Sequence, residues 1–310
     1  MDFLVNWIAS TPDMAAPYAL AALGMIVSER AGILSLTAEG LMLVGALSGV
    51  ATFILLGGHP GPALLASALV AGATSLLFAL LTVVLRVNQV IAGLAFVFFC
   101  QGATNMIGTL AGWANQPIAG LAPVSLGPLS SLPGLGKILF SHDLVVYLLL
   151  PIFFLVHRLL FQSTMGLRLR AVGEAPDAAD AAGVSVALTR IGAIVGGACL
   201  MGLAGGYMSV VSTKLWIAGM AGGRGWIAIA LVIFARWRPW PALAGALLFG
   251  CIEALIPQVA AAGIKVPQYF VLMTPYLATI GVMVWVAVVK RERSAEPGAL
   301  GQPFVREERR

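Results

Sequence analysis

Apolar runs of about 20 residues recur along the whole chain, separated by short polar or Gly/Pro-rich breaks, and this pattern constrains the fold more than any other feature. Hydrocarbon offers the backbone no hydrogen-bond partners, so spanning segments are either helices or the strands of a closed barrel. Barrels show short alternating strands, and these runs are longer and continuous. Composition agrees: 60% of the 310 residues are hydrophobic and 10% are charged, against about 25% charged in a soluble domain. The expected fold is all-α, a polytopic transmembrane helical bundle.

Reading the runs between breaks gives nine segments, at 14–29, 33–56, 62–85, 89–111, 143–161, 188–211, 217–235, 240–259 and 269–289. The expectation is therefore about eight to ten membrane segments. The seventh is the weakest, because Gly219, Gly222, Gly223 and Gly225 interrupt it and leave Trp226 to Ala235, too short to cross alone. The N-terminus carries Asp2, no basic residue before Arg30 and no small-residue cleavage site, so the first segment is expected to stay in the protein. If the C-terminus is cytoplasmic, inside loops hold fourteen Lys and Arg and outside loops four: Lys137, Lys214, Arg224 and Lys265. That asymmetry predicts a multi-pass bacterial inner-membrane protein with its N-terminus periplasmic and its C-terminus cytoplasmic. It also explains the net charge of +5 without a nucleic-acid partner. The organisation expected is a transmembrane domain over 1–289, with a cytoplasmic loop at 162–189, and a solvated, disordered tail over 290–310. The nearly uncharged stretch 112–142 is expected to cover a pathway mouth or pack on the membrane surface.

An internal echo accompanies the pattern. Pro62-Ala63-Leu64 precedes Gln89 by the same 27 positions that separate Pro241-Ala242-Leu243 from Gln268. With the orientation above, the echo would be an inverted-topology repeat, an arrangement that places substrate between the repeats; coincidence in an Ala/Leu/Gly-rich chain is the alternative.

Ionisable groups inside spans cost roughly 2.5–3.5 kcal/mol near the centre, so those present serve a function or pair between helices. Glu39, about eight residues into the second segment, and Glu253, near the middle of the eighth, fit either role. Gln101 and Asn105 are four apart and share a helix face, offering amide donors and acceptors to a neutral polar ligand; Asn88 and Gln89 stand at that helix's start. Trp113 and Trp226, beside the expected outer mouth, are candidate stacking rings, whereas the other tryptophans sit where interface anchors belong. Cys100, Cys199 and Cys251 lie in apolar segments without a CxxC, and the three histidines have no spaced partners, so no metal site is expected.

The loop TMGLRLRAVGEAPDAADAAGVSVALTR combines charge with helix-forming residues and is the natural docking surface on the cytoplasmic side. Pro176 suits the first turn of a short helix, Asp177 and Asp180 favour its N-terminal end, and Gly183 is placed to stop it. Such a helix fits a groove on a soluble partner and carries that partner's motion as a lever.

This loop resembles the coupling segment of importer permeases of the ATP-binding-cassette superfamily, in the branch containing ribose, branched-chain amino acid and nucleoside permeases. SERAGILSLTAEGLMLVGA at 28–46, LRVNQVIAGLA at 85–95 and GGRGWIAIALVIFARWRP at 222–239 are similar to the nucleoside-type members that work with a basic-membrane-protein-type binding lipoprotein. The likeness runs in order from about residue 17 to residue 289. It departs at Ser35, Leu36 and Thr37, where such permeases read Asn-(Ile/Leu)-Gly before the Glu-Gly pair, and at Trp226, where Phe is usual. The resemblance implies a heterodimer with a second permease subunit, a cytoplasmic ATPase that binds ATP and Mg, and an extracytoplasmic substrate-binding lipoprotein. Its coupling residues would be Gly173, Glu174, Ala175, Pro176, Asp177, Ala179, Asp180 and Gly183. The chain itself has no GxxxxGK[ST] phosphate loop, so it is expected to translocate solute without cofactor or bond chemistry of its own. A nucleoside is the expected solute; a sugar or branched-chain amino acid, or an ion-coupled transporter with Glu39 and Glu253 as ion carriers, are the alternatives. An intramembrane enzyme would need a concentrated set of nucleophiles or acids, which the sequence lacks.

Overall fold

The computed structural model describes residues 2–124, 135–261 and 296–305, and residues 273, 274, 277, 280, 281 and 284 of the ninth segment. Among the described residues of the other segments, eleven α-helices follow in order: α1 (Asp2–Glu29), α2 (Ala38–Leu55), α3 (Pro60–Ala79), α4 (Gln89–Leu110), α5 (Leu135–Leu139), α6 (Leu144–Gln162), α7 (Thr164–Glu174), α8 (Pro176–Ala181), α9 (Val186–Gly206), α10 (Arg224–Phe234) and α11 (Pro239–Ala261). π-helical turns extend α3 through Leu80–Val84 and α9 through Tyr207–Ser212. Among the described residues the sole extended pairing is an isolated bridge between Ala114 and Trp216. Among the described residues, six helical stretches, 38–55, 60–84, 89–110, 144–162, 186–212 and 239–259, are long and apolar enough to cross a membrane.

The bundle has two distinguishable ends. At one, α7 and α8 pack beside the Arg30–Thr37 turn; at the other, the backbone of 115–121 lies along 210–216, with Asn115 N–H donating to the Trp216 carbonyl at 2.9 Å and Leu121 N–H to Val210 at 3.2 Å. The expected cover at 112–142 is thus a strand-like layer over the Trp216 end as far as residue 124, and residues 125–134 lie outside the described set. The weak seventh segment does join the two ends. Trp216 lies at one end, while the carbonyl of Trp237, just past α10, accepts from Arg30 Nε at 3.0 Å at the other. It runs as a glycine-rich half, in which Ala221 is buried and Ile217, Ala218 and Gly222 are exposed, followed by an 11-residue helix.

Three boundaries differ from the sequence reading. α1 starts at Asp2 rather than 14, because its polar residues find partners: Ser10 and Thr11 hydroxyls donate to carbonyls one turn back, and Asp13 meets His142 across the bundle. α2 starts at Ala38 rather than 33, because residues 30–37 form a turn in which Gly32 takes φ +82°. Glu39 therefore stands in the first turn of its helix, not eight residues inside it. Finally, residues 296–305 fold back onto the α8 end rather than standing in solvent, with Ala299 N–H donating to Gly173 at 2.9 Å. The ninth segment, 269–289, lies almost wholly outside the described residues.

The inverted repeat is visible in the packing. Shifting residue numbers by the 179 positions between Pro62 and Pro241 superimposes α1 on α9, α2 on α10 and α3 on α11. Each pair runs in opposite directions, and the most extensive helix contacts, α1 with α11 and α3 with α9, are the ones the shift exchanges. Gly250 of α11 closes on Ala15 of α1, and Gly72 of α3 closes on Cys199 and Val195 of α9. Gln268, the second half of the sequence echo, is outside the described residues.

Small residues set the closest approaches. A Cβ at Gly205 would stand 1.8 Å from the Met42 carbonyl oxygen, and one at Gly45 would stand 2.0 Å from that of Gly202, so α2 and α9 touch through backbone. Gly205→Ala is expected to lower stability by about 1–3 kcal/mol or more, since carbonyls cannot rotate away. Gly196→Ala, on the same helix with nothing within 4 Å, is expected to be close to neutral. Thermal melts of the purified variants in detergent compare the two.

Candidate functional site

α10 begins inside the bundle, at Gly223 with φ +88°. Its end lies near Arg30, so Arg224 stands about 15 Å deeper at 1.5 Å per residue. A helix starting there presents unsatisfied N–H groups and a partial positive charge away from water. Glu39 answers both: Gly223 N–H donates to its Oε1 and Gly225 N–H to its Oε2, each at 2.8 Å. Gly225 is obligatory for that fit, because a Cβ there would meet the Glu39 backbone nitrogen at 2.4 Å. Arg224 points the other way and ion-pairs with Glu253 of α11, with Tyr18 of α1 beside the pair. Four helices thus meet at two carboxylates and one guanidinium, and among these residues the structure brings together Glu39, Glu253 and the neighbourhood of Trp226.

The remaining pathway candidates lie elsewhere. Gln101 and Asn105 do share one face of α4; Gln101 is exposed, and the Asn105 Oδ1 is enclosed without a hydrogen-bond partner among the described residues. Asn88 is the N-cap of α4, its side chain accepting from Val90 N–H at 3.0 Å and Ile91 N–H at 3.2 Å. Gln89 is buried, and its Oε1 accepts from Leu34 N–H at 2.7 Å. Both amides are therefore engaged at the α8 end, about 18 Å along the helix from Gln101 at 1.5 Å per residue, so the lining of four amides expected from sequence splits in two. Trp113 packs at the opposite end against the wholly buried Trp216, whose indole fits over Gly108. At that end too, Asp13 holds His142 Nδ1 at 3.1 Å and raises the imidazole pKa, against the opposing effect of burial.

At the α8 end, residues 176–181 form the short helix that the sequence predicts. α7 ends at Glu174, Ala175 makes an extended joint at φ −147°, Pro176 opens α8 with Asp177 in its first turn, and Gly183 leaves it at φ +81°. Ala179 turns inward onto Val172, Val186 and Phe304, while Asp177, Ala178, Ala181 and Ala182 face outward. A shallow groove of about 330 Å³ separates α7 from α8. Gly173 allows α7 to lie on the α1–α2 turn, since a Cβ there would stand 2.2 Å from the Arg30 carbonyl oxygen.

A family described as "Branched-chain amino acid transport system / permease component" matches residues 8–285. The chain belongs to that family. This permease is 37% identical over 99% of both chains to a protein provisionally named a glucose ABC transporter permease, TsgC13 of Haloferax volcanii. It is 33% identical over 97% of both chains to the guanosine ABC transporter permease NupQ of Bacillus subtilis. To the nucleoside ABC transporter permease NupC of Lactococcus lactis it is 32% identical, over 89% of this chain and 90% of that one. No solved structure matches. This permease is therefore a multi-pass membrane transport component of an ABC system, a class in which separate ATPases hydrolyse ATP and a substrate-binding partner serves the transported solute.

Several buried polar contacts of the permease escape a linear reading. Arg224 counts as an outer-loop cation because glycines flank it; the signal that could have placed it is the presence of two intramembrane carboxylates needing a partner. Glu29 sits at a helix end by sequence, yet its Oε2 accepts from Trp237 Nε1 at 2.5 Å and is fully enclosed. Arg190, counted with the cytoplasmic loop, is 2% exposed and donates to the Gln302 carbonyl at 3.1 Å. Asp143 caps α6 and also accepts from the Tyr207 hydroxyl at 2.8 Å.

Proposed function

We propose that this permease carries a nucleoside inward as one of two membrane subunits of an ATP-driven importer. The observation that carries the solute class is the pair of relatives named for guanosine and for nucleosides, each aligned over most of this chain. The exposed amide face of α4 supports it: Gln101 and the unpartnered Asn105 Oδ1 supply donors and acceptors for a neutral, polar solute. A sugar is the second reading, favoured by the glucose-named relative at 37% identity. Competition decides between them: guanosine or adenosine in tenfold excess abolishes uptake of a labelled nucleoside, and glucose leaves it unchanged. The opposite pattern overturns the nucleoside reading. Gln101→Ala is expected to raise the KM for uptake roughly threefold to tenfold, the worth of one net hydrogen bond of about 0.5–1.5 kcal/mol. Unaltered uptake removes Gln101 from the pathway.

The α8 end is the cytoplasmic one in this reading. Arg30, Arg86, Arg168, Arg170, Arg236 and Arg238 collect there, and moving Arg224 into the bundle takes one charge away from the opposite side. The N-terminus is then periplasmic and the cover at 112–124 faces a binding lipoprotein. ATP and Mg reside on a cytoplasmic ATPase, whose closure moves α8; a second permease subunit completes the pathway. Ion coupling through Glu39 and Glu253 fits poorly, because backbone N–H groups and Arg224 already occupy those carboxylates.

A further inference from the structure

We propose that residues 296–305 form a strap that fixes α7 and α8 to the α1–α2 turn, so that displacement of α8 reaches the helices holding the Glu39–Arg224 centre. This deepens the importer reading and rests on it for the source of the displacement. α8 is a six-residue helix, too short to hold itself in place by its own hydrogen bonds. Its inward residue, Ala179, is 4% exposed in a cluster with Val172 of α7, Val186 of α9 and Phe304 of the strap.

The strap is bonded at four points along its length. Gly298 N–H donates to the Glu174 carboxylate at 3.1 Å, at the hinge between α7 and α8. Ala299 N–H donates to the Gly173 carbonyl at 2.9 Å, and Gly301 N–H to the Gly32 carbonyl at 3.2 Å. The Gln302 carbonyl accepts from the buried Arg190 at the base of α9. Three backbones converge so closely that a Cβ at Gly32 would lie within 3.3 Å of Arg190 Nη2, the Ala299 oxygen and Gly173 Cα together. Gly301 takes φ +76° to make the turn, a conformation suited to glycine.

From this knot the path into the membrane is short. Arg30, whose carbonyl touches Gly173, donates through Nε to the Trp237 carbonyl at 3.0 Å, at the end of α10. α10 is one rigid 11-residue helix whose other end is held by Glu39. Packed elements of this kind transmit small shifts as rigid bodies. A composition rich in Glu, Arg, Pro and Gly reads as a solvated tail; the structure instead makes residues 296–305 a positioning element.

The test uses the full importer complex in proteoliposomes, comparing wild type with a deletion of 296–310 and with Phe304→Ala. Two quantities are read: solute moved per ATP hydrolysed, and hydrogen exchange of residues 164–184. The deletion is expected to assemble, to keep basal ATP hydrolysis within about twofold, to lower solute per ATP at least tenfold, and to speed exchange at 164–184 at least tenfold. Phe304→Ala is expected to do the same severalfold, and it decides alone if the deletion does not assemble. An unchanged ratio in these variants overturns the proposal, whether or not exchange speeds up. A wild-type complex that hydrolyses ATP without importing solute would refute the importer reading instead, and exchange at 164–184 would still decide whether the strap holds α8.

Discussion

Arg224→Met is expected to cost about 3–5 kcal/mol, because it leaves Glu253 charged and unpaired inside the bundle. For a protein of ordinary marginal stability that loss is a large fraction of the folding free energy. The purified variant should melt far below wild type in detergent or fail to accumulate. Arg224→Met combined with Glu253→Met should recover most of the loss, since two apolar side chains of similar size replace an ion pair at little net cost. A double-mutant cycle reads the coupling directly. Were Arg224 instead the loop cation that its glycine neighbours suggest, the single variant would melt within about 2 °C of wild type, the scale of a surface change of a few tenths of a kcal/mol.

Glu39→Ala is the second large effect. It removes the acceptor of two backbone N–H groups at a helix start away from water, each hydrogen bond to a charged group being worth about 1.5–3 kcal/mol. Uptake should fall more than a hundredfold, with the glycine-rich entry to α10 loosened. Glu39→Gln keeps one carbonyl oxygen for one of those N–H groups and should retain about a tenth of wild-type uptake. The pair of variants separates two roles. A carboxylate that carries a proton or sodium ion would be as inactive with Gln as with Ala; a carboxylate that caps α10 is partly replaced by the amide. Hydrogen exchange at Gly223 and Gly225 reports the cap without reference to transport.

The layers of this fold differ in how far sequence alone reveals them. Apolar runs gave the helices because burial in hydrocarbon demands some 20 apolar residues regardless of neighbours, and seven of the nine segments overlap long helices closely. The Pro-Ala-Leu echo pointed to a repeat that the antiparallel pairs α1/α9, α2/α10 and α3/α11 display. The short helix α8 was legible because Pro176, Asp177 and Gly183 act locally, through φ preference, charge at a helix start and a left-handed exit. What sequence did not give are the contacts between segments far apart in the chain. Arg224 and Glu253 are 29 residues apart, Glu39 and Gly223 184 apart, and no local rule says that a cation flanked by glycines turns into the membrane. Asn88 shows the converse: an amide read as a pathway group serves as a helix cap, a role visible once the boundary of α4 is known. The strap was missed because a polar, Pro/Gly-containing segment has the composition of disorder, while its four anchors are backbone groups that composition does not record.

The central claim, that this chain moves solute at the expense of ATP spent on a partner, is tested most directly by reconstitution. The permease is placed in proteoliposomes with the ATPase, second permease and binding lipoprotein that the proposed function calls for, and entry of labelled guanosine is followed. The account predicts uptake that requires ATP on the side of α8, is abolished when the ATPase is omitted, and is indifferent to ionophores that collapse proton and sodium gradients. Uptake that continues without the ATPase and disappears with ionophores would contradict it.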